Sequence, residues 1–426
     1  MVSINDDWFS ERLRRDFPGA IKSKFEDVLG TSPHFEVGPN SKAIPKILEV
    51  IQRLQDRFPE EFMDRLLYSL TRYLELADAL LPEAGHAALG YCYFEWLMYA
   101  DVNKKRYRDH VAHTLRVAYL GDWMLEEKWG GNRKLIEKMV EIVKQSAYVE
   151  YLKDVYQKSN NEDIVDDSVI RTAWWLAGLY HDIGMQFSYF VQEESMIAPS
   201  YGFFNADVCA GIARRIELQQ RSLLFFHLRD KLGGSDEETM RLLTERQILE
   251  GKRHGVAAAL CLLMWLERIE LHSTIDLKRR LAFELAALAA AHHDLIGIFG
   301  PDSDPSELKR YREDFTGYKV SYLEEPISFL LVLVDEIQEW GRPILIPKPR
   351  DKWGVEFRYY IECDEVRLKQ EGDTLEVEYR LDSAAIKETG WNKNFFKKDK
   401  DKKFSKDLLD PSPLFNKIEA LEPVIP

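Results

Sequence analysis

Cysteine is scarce in this chain of 426 residues, and its spacing does not suit a disulfide or zinc framework. The four cysteines, Cys92, Cys209, Cys261 and Cys363, lie far apart, and no CxxC pair occurs. Small disulfide-stapled domains and structural zinc sites use more closely spaced cysteines. We therefore expect buried free thiols in a protein that works in a reducing compartment.

Long hydrophobic runs are also missing. The most apolar stretches, residues 256–266 and 329–334, are too short to span a bilayer, since a transmembrane helix needs about 20 residues. The first seven residues, MVSINDD, do not have the basic and then apolar order of a signal peptide. These absences predict a soluble, cytoplasmic protein without a membrane partner.

Positive charge is in deficit, with 58 Lys and Arg against 72 Asp and Glu and a net charge of −14. Such an acidic chain argues against a nonspecific nucleic-acid surface, although it is compatible with a local basic groove. The 45% of hydrophobic residues is ordinary for a globular protein, and the length predicts two or three packed units with a sizeable core.

Hydrophobic periodicity predicts a mainly α-helical protein between about residues 45 and 345. Segments 47–54 and 66–74 repeat apolar residues at i, i+3 and i+4, and segment 279–292 is rich in Ala and Leu. We divide the chain into an N-terminal helical region, a central helical domain and a C-terminal α+β extension, at residues 1–100, 101–345 and 346–426.

The composition changes after Arg342. Three prolines in residues 342–354 predict an extended linker. Residues 355–361 and 375–380 are β-branched and aromatic, and a Glu-Gly-Asp turn precedes the second segment, which predicts a hairpin or small sheet.

Two charged segments accompany this change. For DEIQEWGRP we expect a structural role, with Glu336, Glu339 and Arg342 free to pair locally. The mixed-charge run at residues 392–407, NKNFFKKDKDKKFSKD, favours a solvated surface, with contact to an anionic ligand or nucleic acid as the alternative.

The most informative residues are histidines and aspartates dispersed over the apolar helical segments. Burying imidazole and carboxylate groups costs free energy unless something pairs with them, and divalent metal ions bind both. Simpler explanations are hydrogen-bonded His-Asp pairs, core histidines with satisfied hydrogen bonds, helix caps and arginine partners. The set comprises His113, the pair His181-Asp182, His254, the pair His292-His293, and Asp335.

The order of four of these residues resembles the HD superfamily of metal-dependent phosphohydrolases. The matching segments are HTLRVAYLG, LAGLYHDIG and LLVLVDEIQEW, and the resemblance covers about residues 100 to 345. It implies an HD-type helical bundle in which His113, His181, Asp182 and Asp335 jointly hold one divalent metal ion.

The remaining histidines look like those of the two-metal branch, which includes HD-GYP cyclic-dinucleotide phosphodiesterases and the HD nuclease domains of CRISPR helicase-nucleases. By that analogy, a second ion is held by His254 and by one or both of His292 and His293, with Asp182 bridging the two ions. The resemblance implies two divalent ions drawn from Fe, Mn, Zn, Ni, Co and Mg.

The implied reaction is hydrolysis of a phosphoester by metal-activated water. Two close ions clamp a phosphoryl group, lower the pKa of a bridging water and stabilise the leaving oxygen. Asp182 is the expected catalytic carboxylate. His110 is expected to protonate the leaving group or contact phosphate, or else to hydrogen bond to a metal ligand. Arg108 and Arg253 are candidate substrate-binding residues because guanidinium binds phosphate bidentately, with surface salt bridges as the simpler explanation.

Departures from the family leave the substrate open. Many members have a lysine after HDIG, close to the substrate phosphate, where this chain has Met185; no GYP follows His293, and no GxxxxGK[ST] loop occurs. We expect a nucleotide, cyclic nucleotide or similar small substrate. The alternatives are a single-strand nuclease, if residues 397–406 form a basic path, and a non-hydrolytic sensor that binds a nucleotide or metal.

Overall fold

A computed structural model describes most of the helical regions and the C-terminal sheet. Arg108, Arg253 and Cys209 lie outside the residues that it describes. The described residues are 2–15, 25, 28–29, 60–84, 87–92, 95, 110–155, 163–185, 254–271, 276–299, 319–340, 345–349, 355–359, 363–381, 393–404, 409–421 and 423–424.

The protein is mainly α-helical with a small β component, which confirms the predicted fold class. The helices are α1 (Asp6–Arg15), α2 (Glu60–Leu80), α3 (Val111–Glu126), α4 (Leu135–Lys144), α5 (Ala147–Val155), α6 (Asp167–Tyr180), α7 (His254–Glu270), α8 (Leu277–Phe299), α9 (Pro326–Ile337) and α10 (Lys393–Lys403). The strands are β1 (Val2–Ile4), β2 (Val320–Ser321), β3 (Leu345–Pro349), β4 (Val355–Tyr359), β5 (Cys363–Glu371), β6 (Thr374–Leu381), β7 (Leu409–Asp410) and β8 (Lys417–Ala420).

The chain forms two compact units, each assembled from stretches that are distant in sequence. The first unit combines Met1–Leu120, Val334–Ser405 and Phe415–Pro426, and the second combines Gly121–Leu333 and Lys406–Leu414. The division at residues 100 and 345 stays a prediction. Within the described ranges, no helix has the length and hydropathy needed to cross a membrane.

The first unit contains a four-stranded sheet in the order β1-β5-β6-β8. Strands β5 and β6 form an antiparallel hairpin, and β8 pairs with β6 in parallel. The predicted Glu-Gly-Asp turn is confirmed, with Gly372 at a φ of +60°. The predicted first strand of this hairpin was wrong, because β5 and not residues 355–361 precedes the turn and pairs with β6. The N-terminal region, predicted as helical, begins with β1, which pairs with β5.

The proline-rich segment is not simply an extended linker. Strand β3, which carries Pro347 and Pro349, pairs antiparallel with β4 in a separate two-stranded sheet. Both strands of such a sheet are edge strands, where a residue without an N–H is tolerated. The proline composition therefore did not exclude a strand here.

Helices α6, α7 and α8 form the packed centre of the second unit. The side chain of Asp166 caps α6 by accepting from the Val169 N–H at 3.1 Å, and Asp276 caps α8 by accepting from the Lys278 N–H at 2.9 Å. Small buried side chains, such as Ala258 on α7, allow the helix backbones to approach closely. This packing holds in place the helices that carry the polar residues of the candidate site.

Candidate metal centre

Three predicted metal ligands converge in the second unit. Asp182 lies in the turn after α6, His254 is the first residue of α7, and His293 lies on α8. His254 Nε2 is 2.9 Å from Asp182 Oδ1 and 3.1 Å from His293 Nε2. The third distance, from His293 Nε2 to Asp182 Oδ1, is 3.5 Å. One carboxylate oxygen and two imidazole nitrogens thus face a common point.

These separations fit the coordination of a transition-metal ion. Ligand bonds of about 2.0–2.2 Å place neighbouring ligand atoms roughly 3–3.5 Å apart in octahedral or tetrahedral geometry. The observed 2.9–3.5 Å separations match that spacing. Asp182, His254 and His293 therefore form a group that can hold a metal ion.

Backbone carbonyls orient the imidazoles of two histidines in this unit. His293 Nδ1 lies 2.6 Å from the carbonyl oxygen of Ala290, and His181 Nδ1 lies 3.0 Å from that of Gly178. A carbonyl only accepts hydrogen bonds, so each Nδ1 carries the hydrogen and donates it. In a neutral ring this leaves Nε2 with the lone pair that binds a metal, an arrangement typical of histidine ligands.

Asp182 is held in its charged form although its side chain is only 8% exposed. Burial alone would raise the pKa of this carboxyl group. When the imidazoles are protonated, the charge of His181 and the hydrogen bonds donated by His254 and His293 act in the opposite direction, and together they hold the pKa of Asp182 well below its usual range. An ionised, buried carboxylate surrounded by imidazoles is a strong ligand for a divalent cation.

Gly184 allows the turn that carries the His-Asp pair to pack against the beginning of α7. A Cβ atom on Gly184 would lie 1.9 Å from the carbonyl oxygen of His254 and 2.8 Å from the backbone nitrogen of Ala258. Both are backbone atoms that cannot move aside as a flexible side chain can. The backbone N–H of Met185 closes the turn by donating to the Asp182 carbonyl at 2.9 Å.

The two adjacent histidines of α8 have different surroundings. His293 contacts Asp182 and His254, and its ring packs edge-on against that of His181 with the centroids 5.0 Å apart. His292 is fully buried and does not belong to the group of ligand atoms identified in the described part of this unit. Neighbouring helical residues point about 100° apart, so one residue of the pair reaches Asp182 while the other faces elsewhere.

The first unit contains another pair of predicted ligands, His113 on α3 and Asp335 on α9. His113 Nε2 is 2.6 Å from Asp335 Oδ1, and the His113 side chain is only 1% exposed. His113 Nδ1 is hydrogen bonded to Oε1 of Gln338, a buried residue that is not among the predicted ligands. The joint binding of one metal ion by His113, Asp335, His181 and Asp182 stays a prediction.

His110 lies immediately before α3. Its backbone N–H donates to the carboxylate of the buried Glu95 at 3.1 Å, and its carbonyl accepts from the Thr114 N–H at 2.9 Å. These bonds fix the start of the helix that carries His113. The catalytic role of the His110 side chain stays a prediction.

The two glutamates of DEIQEWGRP have a partner that is distant in sequence, and Arg342 lies outside the described residues. Glu336 and Glu339 contact Lys400 on α10, at 3.3 and 2.8 Å. Lys400 also donates to the Glu336 carbonyl at 2.6 Å, and its side chain is only 2% exposed. The mixed-charge C-terminal run is therefore not entirely a solvated surface, because one of its lysines is a buried partner of α9.

No protein-family model, curated protein or solved structure gives a significant match to this chain.

Proposed function

We propose that this protein is a metal-dependent phosphohydrolase of the HD type, which hydrolyses a nucleotide, cyclic nucleotide or similar small phosphoester. The observation that carries the proposal is the convergence of Asp182 Oδ1, His254 Nε2 and His293 Nε2 within 2.9–3.5 Å of one another. Such a partly buried set of one carboxylate and two imidazoles is a standard environment for a catalytic divalent ion.

Asp182 presents its two carboxylate oxygens to different histidines, and would hold a metal ion together with His254 and His293. Its Oδ1 faces His254 and His293, whereas its Oδ2 is the oxygen closest to His181 Nε2, at 3.6 Å. By the family resemblance, His113 and Asp335 would also be metal ligands. A bound divalent ion would supply Lewis acidity and lower the pKa of a coordinated water, so that hydroxide forms near neutral pH.

The protein's own groups orient these ligands. The Gly178 and Ala290 carbonyls accept from the Nδ1 atoms of His181 and His293, which keeps the opposite nitrogens available. Burial of Asp182 limits competition from water for its oxygens. The ligands are thus positioned before a substrate phosphate is bound, which reduces the reorganisation needed during the reaction.

The main rival is a hydrogen-bonded cluster without a metal ion. In that case, His254 Nε2 carries a hydrogen and donates to Asp182 Oδ1 at 2.9 Å. The rival predicts no stoichiometric binding of Mn²⁺, Zn²⁺, Ni²⁺ or Co²⁺ and no change in the cluster when these ions are added. Metal titration therefore separates the two explanations directly.

The surroundings of the C-terminal lysines favour a small substrate over a single-stranded nucleic acid. Lys397 pairs with Asp401 at 2.8 Å, Lys403 pairs with Glu336 at 2.8 Å, and Lys400 is buried. Three cations of the predicted basic path are thus already neutralised by neighbouring groups. A nuclease would instead show salt-sensitive binding of single strands.

The test is the double substitution His181→Ala with Asp182→Ala. Metal content by elemental analysis and hydrolysis of a panel of cyclic and linear nucleotides should be lost together, while circular dichroism reports whether the helices are retained. Metal-dependent hydrolysis by the folded double variant would contradict the proposal. Full metal occupancy and nucleotide binding without hydrolysis in the wild-type protein would favour the non-hydrolytic sensor, for which Met185 in place of the usual lysine is the supporting feature.

A further inference from the structure

Gln338 forms the centre of a buried chain of hydrogen bonds in the first unit. It follows α9 directly, three residues after Asp335, and its backbone N–H continues the helical pattern by donating to the Val334 carbonyl at 3.0 Å. Its side chain contacts His113 on one side and the backbone of Trp340 on the other. We infer that Gln338 is a positioning residue that sets the tautomer of His113 and thereby directs its Nε2 lone pair towards Asp335.

The orientation of the Gln338 amide follows from its contact with Trp340. The amide nitrogen lies 2.8 Å from the Trp340 carbonyl oxygen, which can only accept a hydrogen bond. Rotating the amide by half a turn would bring two oxygens together at that distance. The nitrogen therefore donates to Trp340, and Oε1 is directed at His113 Nδ1.

The tautomer of His113 follows in turn. Because Gln338 offers an oxygen, His113 Nδ1 must carry a hydrogen and donate it. In the neutral ring, Nε2 then has a lone pair that faces Asp335 Oδ1 at 2.6 Å. Two lone pairs repel each other at this distance, so a hydrogen must lie between them as in a hydrogen bond, and the two atoms would have to separate to about 3 Å to bind one metal ion.

Two other predicted metal ligands, His181 and His293, also donate a hydrogen bond from Nδ1. The Nδ1 atoms of His181 and His293 donate to backbone carbonyls three residues earlier on their own chain segments. His113 instead uses a side chain from a distant part of the sequence. Since Gln338 is fully buried and His113 is 1% exposed, water cannot readily replace the lost acceptor if this side chain is removed.

Nitrogen NMR on metal-free protein with ¹⁵N-labelled histidine rings tests the tautomer at a single pH near neutrality. The His113 signals are identified by their disappearance in the His113→Asn variant. We expect a hydrogen on Nδ1, whether or not Nε2 is also protonated. A neutral ring with its hydrogen on Nε2 and a bare Nδ1 would overturn the inference.

Substitution of Gln338 tests the consequence for metal binding, and this part rests on the proposed function. Gln338→Met keeps the length of the side chain but removes the acceptor, and it should weaken metal binding by about 10–100-fold, the usual effect of losing a partner of a metal ligand. Gln338→Glu keeps an acceptor oxygen and should retain the Nδ1 hydrogen that Gln338→Met loses.

The matched control is Gln370→Met, which removes a similar amide-to-carbonyl hydrogen bond, to Gly372 at 2.8 Å on an exposed turn. It should leave both the His113 signals and metal affinity unchanged. If the wild-type protein binds metal and Gln338→Met binds it equally well, the positioning role is wrong. If the wild-type protein binds no metal, the proposed function fails, and the tautomer experiment still decides the role of Gln338.

Discussion

The backbone carbonyl of His254 occupies the space that a side chain on Gly184 would need. The oxygen lies 1.9 Å from the position of a Cβ atom on Gly184. His254 provides an imidazole to the metal group, and Gly184 ends the turn that provides Asp182. The glycine after the His-Asp pair is therefore a packing requirement that brings two ligands together.

Gly184→Ala should displace the turn from α7 and weaken metal binding by about 10–100-fold, comparable to the loss of a supporting contact. Overpacking of this kind also lowers the free energy of unfolding by about 1–3 kcal/mol. Calorimetric metal titration and urea denaturation measure the two effects. Gly372→Asn is the control, because nothing lies within 4 Å of its Cβ position and asparagine tolerates its φ of +60°. Unchanged metal affinity in Gly184→Ala would contradict the packing argument.

His293→Ala and His292→Ala should differ sharply in metal affinity although the two residues are adjacent. His293→Ala removes a nitrogen that lies 3.1 Å from His254 Nε2, and metal affinity should fall by at least about 10–100-fold. His292→Ala should retain the metal and lose about 1–3 kcal/mol of stability, because it truncates a fully buried side chain. Elemental analysis after dialysis and thermal unfolding provide the comparison. Metal loss in His292→Ala alone would reverse the assignment.

Lys400→Met should destabilise the protein by about 1–3 kcal/mol, because it removes the cation that two partly buried carboxylates share, while Lys403 still pairs with one of them. Glu336 and Glu339 are the carboxylates, with side chains 20% and 18% exposed. Urea denaturation measures the loss. Lys398→Met, on the exposed surface of the same helix, should stay within about 0.5 kcal/mol of the wild-type protein. Equal stability of the two variants would show that the buried contacts of Lys400 contribute little.

The contribution of Lys400 should also depend on pH in the alkaline range. Burial alone would lower the pKa of Lys400, but Glu339 and Glu336 outweigh it and raise the pKa above its usual 10.5. A raised folded-state pKa gives stability that is fully present below the unfolded pKa and is lost as the pH rises through the folded value. The difference in unfolding free energy between the wild-type protein and Lys400→Met should therefore be constant from neutral pH to about pH 10 and shrink above it. A decline already between pH 7 and 9 would contradict this linkage.

The helical part of the fold was predictable because its sequence signals are local. The Ala-rich segment that became α8 and the apolar run that became α9 have the composition of buried helices. Strand β5 was missed because its sequence, CDEVRLKQE, contains charged residues at the positions that face outward. Strand β1 is only three residues long and pairs with residues more than 360 positions away, a contact that no local pattern indicates.

The sequence predicted which residues belong to the candidate site but not how they are arranged in space. The sequence could not distinguish His292 from His293, because the choice depends on how α8 is rotated about its axis against α6 and α7. Gln338 was missed although a signal existed, since it follows Asp335 at the i+3 spacing that places two residues on one helix face. The contact of Glu336 and Glu339 with Lys400 was not predicted, because Lys400 is more than 60 residues later and is brought to them only by folding.

The most direct test of the central claim is an anomalous-scattering map at the metal absorption edge, from crystals of the full chain loaded with Mn²⁺ or Zn²⁺. We predict a peak within about 2.0–2.2 Å of Asp182 Oδ1, His254 Nε2 and His293 Nε2. Crystals of His293→Ala prepared in the same way should lose that peak. A map of the loaded wild-type protein without a peak among these three residues would contradict the account.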